Sequence, residues 1–430
     1  MRIVALMLAL ALGTPAAAET IAITGGTVAT GDGSAPAPGT VVMRDGRVVA
    51  AGLNVAVPAG ARTIDATGKW VSPGIVAGFT RLGLVNVDAV DPTNDTNGRN
   101  TPFNAALDIQ PAINPRVPAI AVNRAHGITR AIVAPDTSNA LFGGQGAIIA
   151  TADKADIVTR PRAFQFVEFG ETGAQRAGGS RPAAHAWFRN ALAQARTYAK
   201  NPAAYDGNSR DNLLNRADAA ALVPVLEGRQ PLYVHVESGP DILQMIRLRE
   251  EFPALKLVLV GVTEGWTVAQ QLAAARIPVI ASPVVDLPEQ FEQVAATQSN
   301  VARMKAAGVE VAIGTINDDD ARMAFRTLQY AGNLVALTKV PGAQGLSWGD
   351  AFAAITSIPA RIAGLGDQFG SLKPGARDVV VWSGAPLEVM SAPERVWIDG
   401  VEQSLVTRQT RLRDRYRTSS EGQLPKAYER

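Results

Sequence analysis

The sequence predicts an α/β chain: a (β/α)8 TIM-type barrel with a composite β-sandwich domain formed from both chain ends. Three observations carry this expectation. From Val71 onward, strand-like apolar runs alternate with Ala-rich helical stretches, the pattern of a parallel sheet with helical crossovers. The 430 residues exceed one core of roughly 100–200 residues but suit a barrel of about 250 residues plus a smaller unit. Short apolar runs separated by tight turns occur near both ends.

In chain order, the first residues carry Arg2, an apolar run from Ile3 to Leu12 and the small residues Ala16-Ala17-Ala18. This is the layout of a secretory signal peptide, cleaved after Ala18, and it predicts a periplasmic or secreted protein. The run is too short to span a bilayer comfortably, and no later stretch reads as transmembrane. Residues 19–72 read as the N-terminal part of the β domain, with Asp45-Gly46 between apolar runs as a hairpin turn. The barrel is expected over 73–368. Its strands include Ala131-Ile132-Val133, Leu232-Tyr233-Val234, the run 255–260, the run 277–280 and the run 309–313. Helices are expected from Asp241 to Glu251 and from Thr267 to Ala275. Residues 369–408 return to β texture, and 409–430 form a charged tail, read as a solvated helix or frayed end.

Composition narrows the function classes. Hydrophobic residues make up 47% and charged residues 19%, a globular balance. Lys and Arg number 41 against 39 Asp and Glu, so the chain is not built to neutralise nucleic-acid phosphates. It has no cysteine, which excludes thiolate chemistry and Cys-ligated zinc. Gly143-Gly144-Gln145-Gly146 is glycine-rich but matches no phosphate-binding loop, and no G-x-G-x-x-G follows the first barrel strand. Ser180 and Ser282 lack a G-x-S-x-G context.

Several segments together resemble the amidohydrolase superfamily, most closely its exported, imidazolonepropionase-like branch. They are Ile23-Thr24-Gly25-Gly26-Thr27 with Arg44-Asp45-Gly46-Arg47, then Ile64-Asp65-Ala66-Thr67-Gly68-Lys69, leading into Val71-Ser72-Pro73-Gly74-Ile75-Val76. Phe369-Gly370-Ser371-Leu372-Lys373-Pro374-Gly375-Ala376-Arg377-Asp378 looks like the family's exit from the barrel, and Val234-His235-Val236-Glu237 is similar to its fifth-strand segment. The resemblance implies hydrolysis of C–N bonds at a metal centre held by histidines and carboxylates.

The residues at the expected metal positions depart from that pattern. The family follows its Pro-Gly lead-in with Asp-Ala-His-x-His, whereas this chain has Ala77, Gly78, Phe79, Thr80 and Arg81. Phe79 offers no ligand atom, and Arg81 brings a fixed positive charge. Ile316 stands where the family's last metal-binding Asp follows the strand-8 Gly-Thr. Only His235 matches a family ligand, and His126 and His185 are the only other histidines. A catalytic zinc site generally needs three such ligands, so no metal or other cofactor is expected.

Barrel chemistry sits at the C-terminal strand ends. The residues expected there are Arg81, Glu168, Glu171, His235, Glu237, Glu264, Asn317 and Asp318, with the choice between Glu168 and Glu171 left open. His235 is the catalytic candidate, read either as a general base or as a hydrogen-bonded relic. Arg81 is read either as replacing the metal's charge, paired with Glu168 or Asp318, or as reaching solvent. The run Asp318-Asp319-Asp320 is read as a helix cap or a shifted ligand. The leading expectation is a metal-free relative that binds a small molecule or partners an active homologue, its oligomeric state left open. The alternative is an active amidohydrolase cleaving non-peptide or dipeptide-like C–N bonds, with a rebuilt one-zinc or metal-free site.

Overall fold

A computed structural model of the chain describes residues 19–87, 90–207, 213–316 and 323–417. The expected signal peptide (1–18), most of the charged tail, and Asn317 and Asp318 lie outside the described residues. Sixteen strands are named here in chain order among the described residues. They are β1 (Thr20–Val28), β2 (Ala37–Arg44), β3 (Arg47–Gly52), β4 (Arg62–Asp65), β5 (Trp70–Pro73), β6 (Ile75–Thr80), β7 (Ile128–Val133) and β8 (Phe142–Ala150). They continue with β9 (Val158–Glu168), β10 (Leu232–Val236), β11 (Leu257–Gly261), β12 (Val279–Ala281), β13 (Val311–Ile313), β14 (Val379–Trp382), β15 (Pro393–Ile398) and β16 (Val401–Glu402). The helices used below are α1 (Pro118–Ala125), α2 (Gly170–Arg176), α3 (Arg181–Lys200), α4 (Arg216–Leu226) and α5 (Gly239–Glu251). After them come α6 (Ala269–Ala275), α7 (Asn300–Ala306), α8 (Arg326–Ala336), α9 (Trp348–Ala353), α10 (Ser357–Ile362) and α11 (Arg408–Tyr416).

Strands β6 to β13 form one eight-stranded sheet in sequence order, curved into a nearly closed barrel. Side chains alternate between two cores. Tyr233, Val258, Val260, Phe164 and Phe166 belong to an inner cluster, while their neighbours Leu232, Val234, Leu257, Leu259 and Val167 join the larger cluster beneath the helices. The seam between β13 and β6 is bridged by backbone rather than by direct pairing along its length. Ala354 O accepts from Ile313 N–H at 3.1 Å, and Ile355 O accepts from Val76 N–H at 2.9 Å. At the other end of the seam, Thr315 N–H donates to Phe79 O at 3.3 Å.

The sheet departs from an all-parallel barrel at its third strand, since β8 runs antiparallel to both β7 and β9. The cause is the connection length. Residues 134–141 and 151–157 link these strands, and a parallel crossover needs a dozen or more residues.

The end segments share one sheet: β14 lies antiparallel to β5 and joins β15 and β16 to β1–β4. The pairing gives one continuous eight-stranded sheet rather than two separately paired leaves; β1 splits its partners, β4 beside Ile21–Thr24 and β5 beside Thr27–Val28. The β2–β3 hairpin turns at Asp45 (φ 49°) and Gly46 (φ 70°), the two positive φ values of the turn read from Asp-Gly. Among the described residues no helix is long and apolar enough to cross a membrane. The start of the charged tail is helical, as α11.

Candidate functional site at the barrel mouth

The C-terminal ends of β6, β9, β10, β11 and β12 bring one ionic cluster together at the mouth. Glu168 ends β9 and is buried, His235 lies on β10 beside it in register, and Glu237 follows one residue beyond β10. His235 Nδ1 lies 2.5 Å from Glu168 Oε1, and Nε2 lies 2.9 Å from Glu237 Oε1. A carboxylate oxygen only accepts, so both ring nitrogens donate and the ring is an imidazolium. Burial alone would lower its pKa, but the Glu168 carboxylate, followed by Glu237, holds it well above the ordinary histidine value. In that form the ring has no lone pair with which to take a proton or hold a metal.

Arg81 follows β6 and stands next to this group. Its guanidinium donates to Ala134 O at 2.9 Å, reaches Asp136 at 3.7 Å, and lies 5.0 and 5.7 Å from the Phe79 and Phe166 ring centres. Among the described residues the direct ionic partner is therefore Asp136 and not Glu168, whose nearer partner is His235; Glu168 acts on Arg81 through its field. Arg81 is partly covered, with 18% of its side chain exposed, so it is not a freely solvated arginine. Ile316 packs against the inner barrel cluster.

Glu168 and Glu171 are separated by the start of α2. Glu168 points to His235, whereas Glu171, in the first turn of α2, gives its backbone N–H to Glu292 at 2.7 Å. Gly170 permits this approach: its φ is +68°, and a Cβ there would lie 2.4 Å from Glu292 Oε2. Glu292 comes from the loop after β12 and is 5% exposed. It was absent from the sequence expectation, as were Asp136, Arg181 and Asp241.

These carboxylates tie four mouth loops to one another. Arg181 Nε meets both oxygens of Asp241 at 3.0 and 2.9 Å, and its other end reaches Glu292 at 3.2 Å. Glu237 Oε2 accepts from Thr263 N–H at 2.9 Å. Glu264 accepts from Gly239 N–H at 3.0 Å and from Ala295 N–H at 2.8 Å. Val262 holds φ 56°, unusual for a β-branched residue, on the same rim, where strained backbone often accompanies function.

Among the described residues the remaining histidines make no hydrogen bond to this cluster. His126 caps α1 and stacks on Phe325 at 4.3 Å; His185 sits on α3 against Phe169. Phe142 packs against Trp187 and Phe188, and Trp266 Nε1–H donates to Ala295 O, so these aromatics hold the scaffold. Among the described residues no group of three or more His, Asp or Glu is arranged to hold a metal ion. The donor set itself does not fit a dinuclear centre: Phe79 supplies carbon, Arg81 only N–H donors, and His235 two nitrogens already given to carboxylates.

A model described as the amidohydrolase family matches residues 255–406. The amidohydrolase TasK of Hapsidospora irregularis is 25% identical and aligns with 81% of this chain, which spans 38% of that relative's length. The solved structure of an amidohydrolase from Thermotoga maritima is 27% identical, with a TM-score of 0.76, over 89% of this chain and 99% of the other. A molinate hydrolase structure, 18% identical with a TM-score of 0.53 over 90% of this chain and 95% of the other, shares the fold. With the eight-stranded mouth-bearing sheet and its fifth-strand histidine, these likenesses support the amidohydrolase superfamily.

Proposed function

We propose that this is an exported amidohydrolase-family protein whose mouth has lost the family's metal chemistry and binds a small molecule, alone or as the partner of an active homologue. The observation that carries the reading is His235 held at both ring nitrogens by Glu168 and Glu237. Two organic cations, the imidazolium and Arg81, stand where metal charge would otherwise balance the carboxylates. The scaffold is read as a (β/α)8-type barrel with its third strand reversed, carrying a composite β domain over 19–72 and 369–408. Export rests on residues 1–18, so protein recovered from an exporting host should begin at Glu19.

A second reading, C–N bond hydrolysis with a rebuilt one-zinc or metal-free site, is favoured by the likeness to the Thermotoga maritima amidohydrolase. One measurement separates them. The purified full chain is incubated with excess zinc, gel-filtered and assayed for metal, then offered simple amides. The expected result is zinc well below one per chain and no hydrolysis. One zinc per chain with amide cleavage would overturn the metal-free reading.

A further inference from the structure

We propose that the mouth takes an organic cation, a protonated amine carried on an apolar body, with Glu292 as its counter-charge. This deepens the ligand-binding reading and rests on it. The geometry of Glu292 sets it apart from the other carboxylates of the cluster. Glu168 and Glu237 share the imidazolium, Asp241 is clasped by Arg181, and Glu264 accepts two backbone N–H groups. Glu292 is more than nine-tenths buried, yet only its Oε2 is engaged, by Glu171 N–H and Arg181. Its Oε1 has no partner among the described residues, and it is not one of the polar atoms sealed from solvent.

The charges around Glu292 leave this half of the mouth acidic. The carboxylates of Glu171 and Glu237 and the charge of His235 act on it, and Arg181 is shared with Asp241. The carboxylates acting on Arg81 are Asp136 and Glu168. Burial first, then the charges of Glu171 and Glu237 working against the Glu171 N–H bond, push Glu292 up to about 7. That is the behaviour of a carboxylate lacking a full cationic partner, which an ammonium group would supply. The same loop exposes apolar side chains beside it: Phe291 is 88%, Leu287 77% and Val294 70% exposed. An apolar rim next to a desolvated carboxylate is complementary to an aryl or alkyl amine.

The test uses a matched pair of probes, benzylamine and benzyl alcohol, titrated calorimetrically into the full chain near neutral pH. The ammonium should bind about tenfold more tightly or better than the alcohol, as expected of a charge-assisted bond to a buried acceptor. Glu292→Gln, shown folded by circular dichroism, should abolish that preference. Glu171→Gln keeps the backbone N–H that holds Glu292, so it reads the charge separately and should weaken only the amine, by a few-fold. Equal binding of the two probes, or a preference that survives Glu292→Gln, overturns the proposal. No amine binding by a protein that also stays zinc-free overturns it while leaving the metal-free reading intact.

Discussion

His235 illustrates how one side chain can be legible in identity and illegible in state. Its position followed from Val234-His235-Val236-Glu237, and Glu237 came with it. The proton count did not, because it depends on Glu168, which is 67 residues away in the chain and adjacent only through β9–β10 pairing. Arg81 was likewise visible, but its partner Asp136 lies on an irregular segment with no periodic signal. Glu292 was missed for the same reason. The imidazolium makes a stability prediction with a definite sign. Its folded-state pKa lies above the unfolded value, so its stabilisation is complete below about pH 6.5 and fades as pH rises through the folded value. His235→Gln keeps hydrogen bonding but removes the charge between two buried carboxylates, and should cost about 3 kcal/mol near pH 6. Urea unfolding near pH 6 and about pH 9 checks both parts. A wild-type protein equally stable at both, with a variant that loses nothing, would refute the ion-triad account.

At the scale of elements, strand positions were largely readable and one strand direction was not. The run 309–313 became β13 (Val311–Ile313), and the hairpins at Asp45-Gly46 and Asp399-Gly400 formed as the turn residues required. The reversal of β8 has no signature in its own residues, because a strand buried throughout reads alike in either direction. The signal lay beside it, in the brevity of 134–141 and the lack of any helical period there. The glycines of Phe142–Ala150, which fit no phosphate loop, have a packing role instead. Gly146 faces Phe164 across the β8–β9 pair, and a Cβ on it would sit 2.1 Å from the ring. That ring stacks on Tyr233 at 4.0 Å inside the barrel, so it cannot move aside cheaply. Gly146→Ala should therefore destabilise by about 1–3 kcal/mol despite Ala's smaller backbone entropy cost. Adding Phe164→Leu should recover part of the loss in a double-mutant cycle of chemical denaturation. Additive losses would show that the two residues do not clash.

For the whole molecule, strands from both chain ends share one sheet, but the texture of the ends could not show what fastens that sheet to the barrel. One buried fastening is Arg130 on β7, whose guanidinium spans 248 residues of sequence to Asp378, at 2.8 and 3.0 Å, and also reaches Asp399 at 2.6 Å. Phe369 covers it, with its ring centre 3.9 Å away, and both Arg130 and Asp378 are almost fully buried. Burial would raise the Asp399 carboxyl, but the Arg130 charge outweighs it and holds the group below the ordinary carboxylate value. Its stabilisation is thus present above the unfolded carboxylate value and is lost as pH falls through the folded one. Breaking a buried pair from one side leaves an uncompensated charge, whereas removing both sides often costs little. Arg130→Met should accordingly cost about 3–5 kcal/mol, and Arg130→Met combined with Asp378→Leu should cost less than Arg130→Met alone. With Trp187, Trp266 and Trp348 replaced by Phe, unfolding followed by tryptophan fluorescence reads the end sheet through Trp70, Trp382 and Trp397, and far-ultraviolet circular dichroism reads the helices around the barrel. If Arg130 is the joint, the single variant should separate the two transitions, with the end sheet melting first. One coincident transition at wild-type stability would place the fastening elsewhere, at contacts such as Trp382 against Gly127.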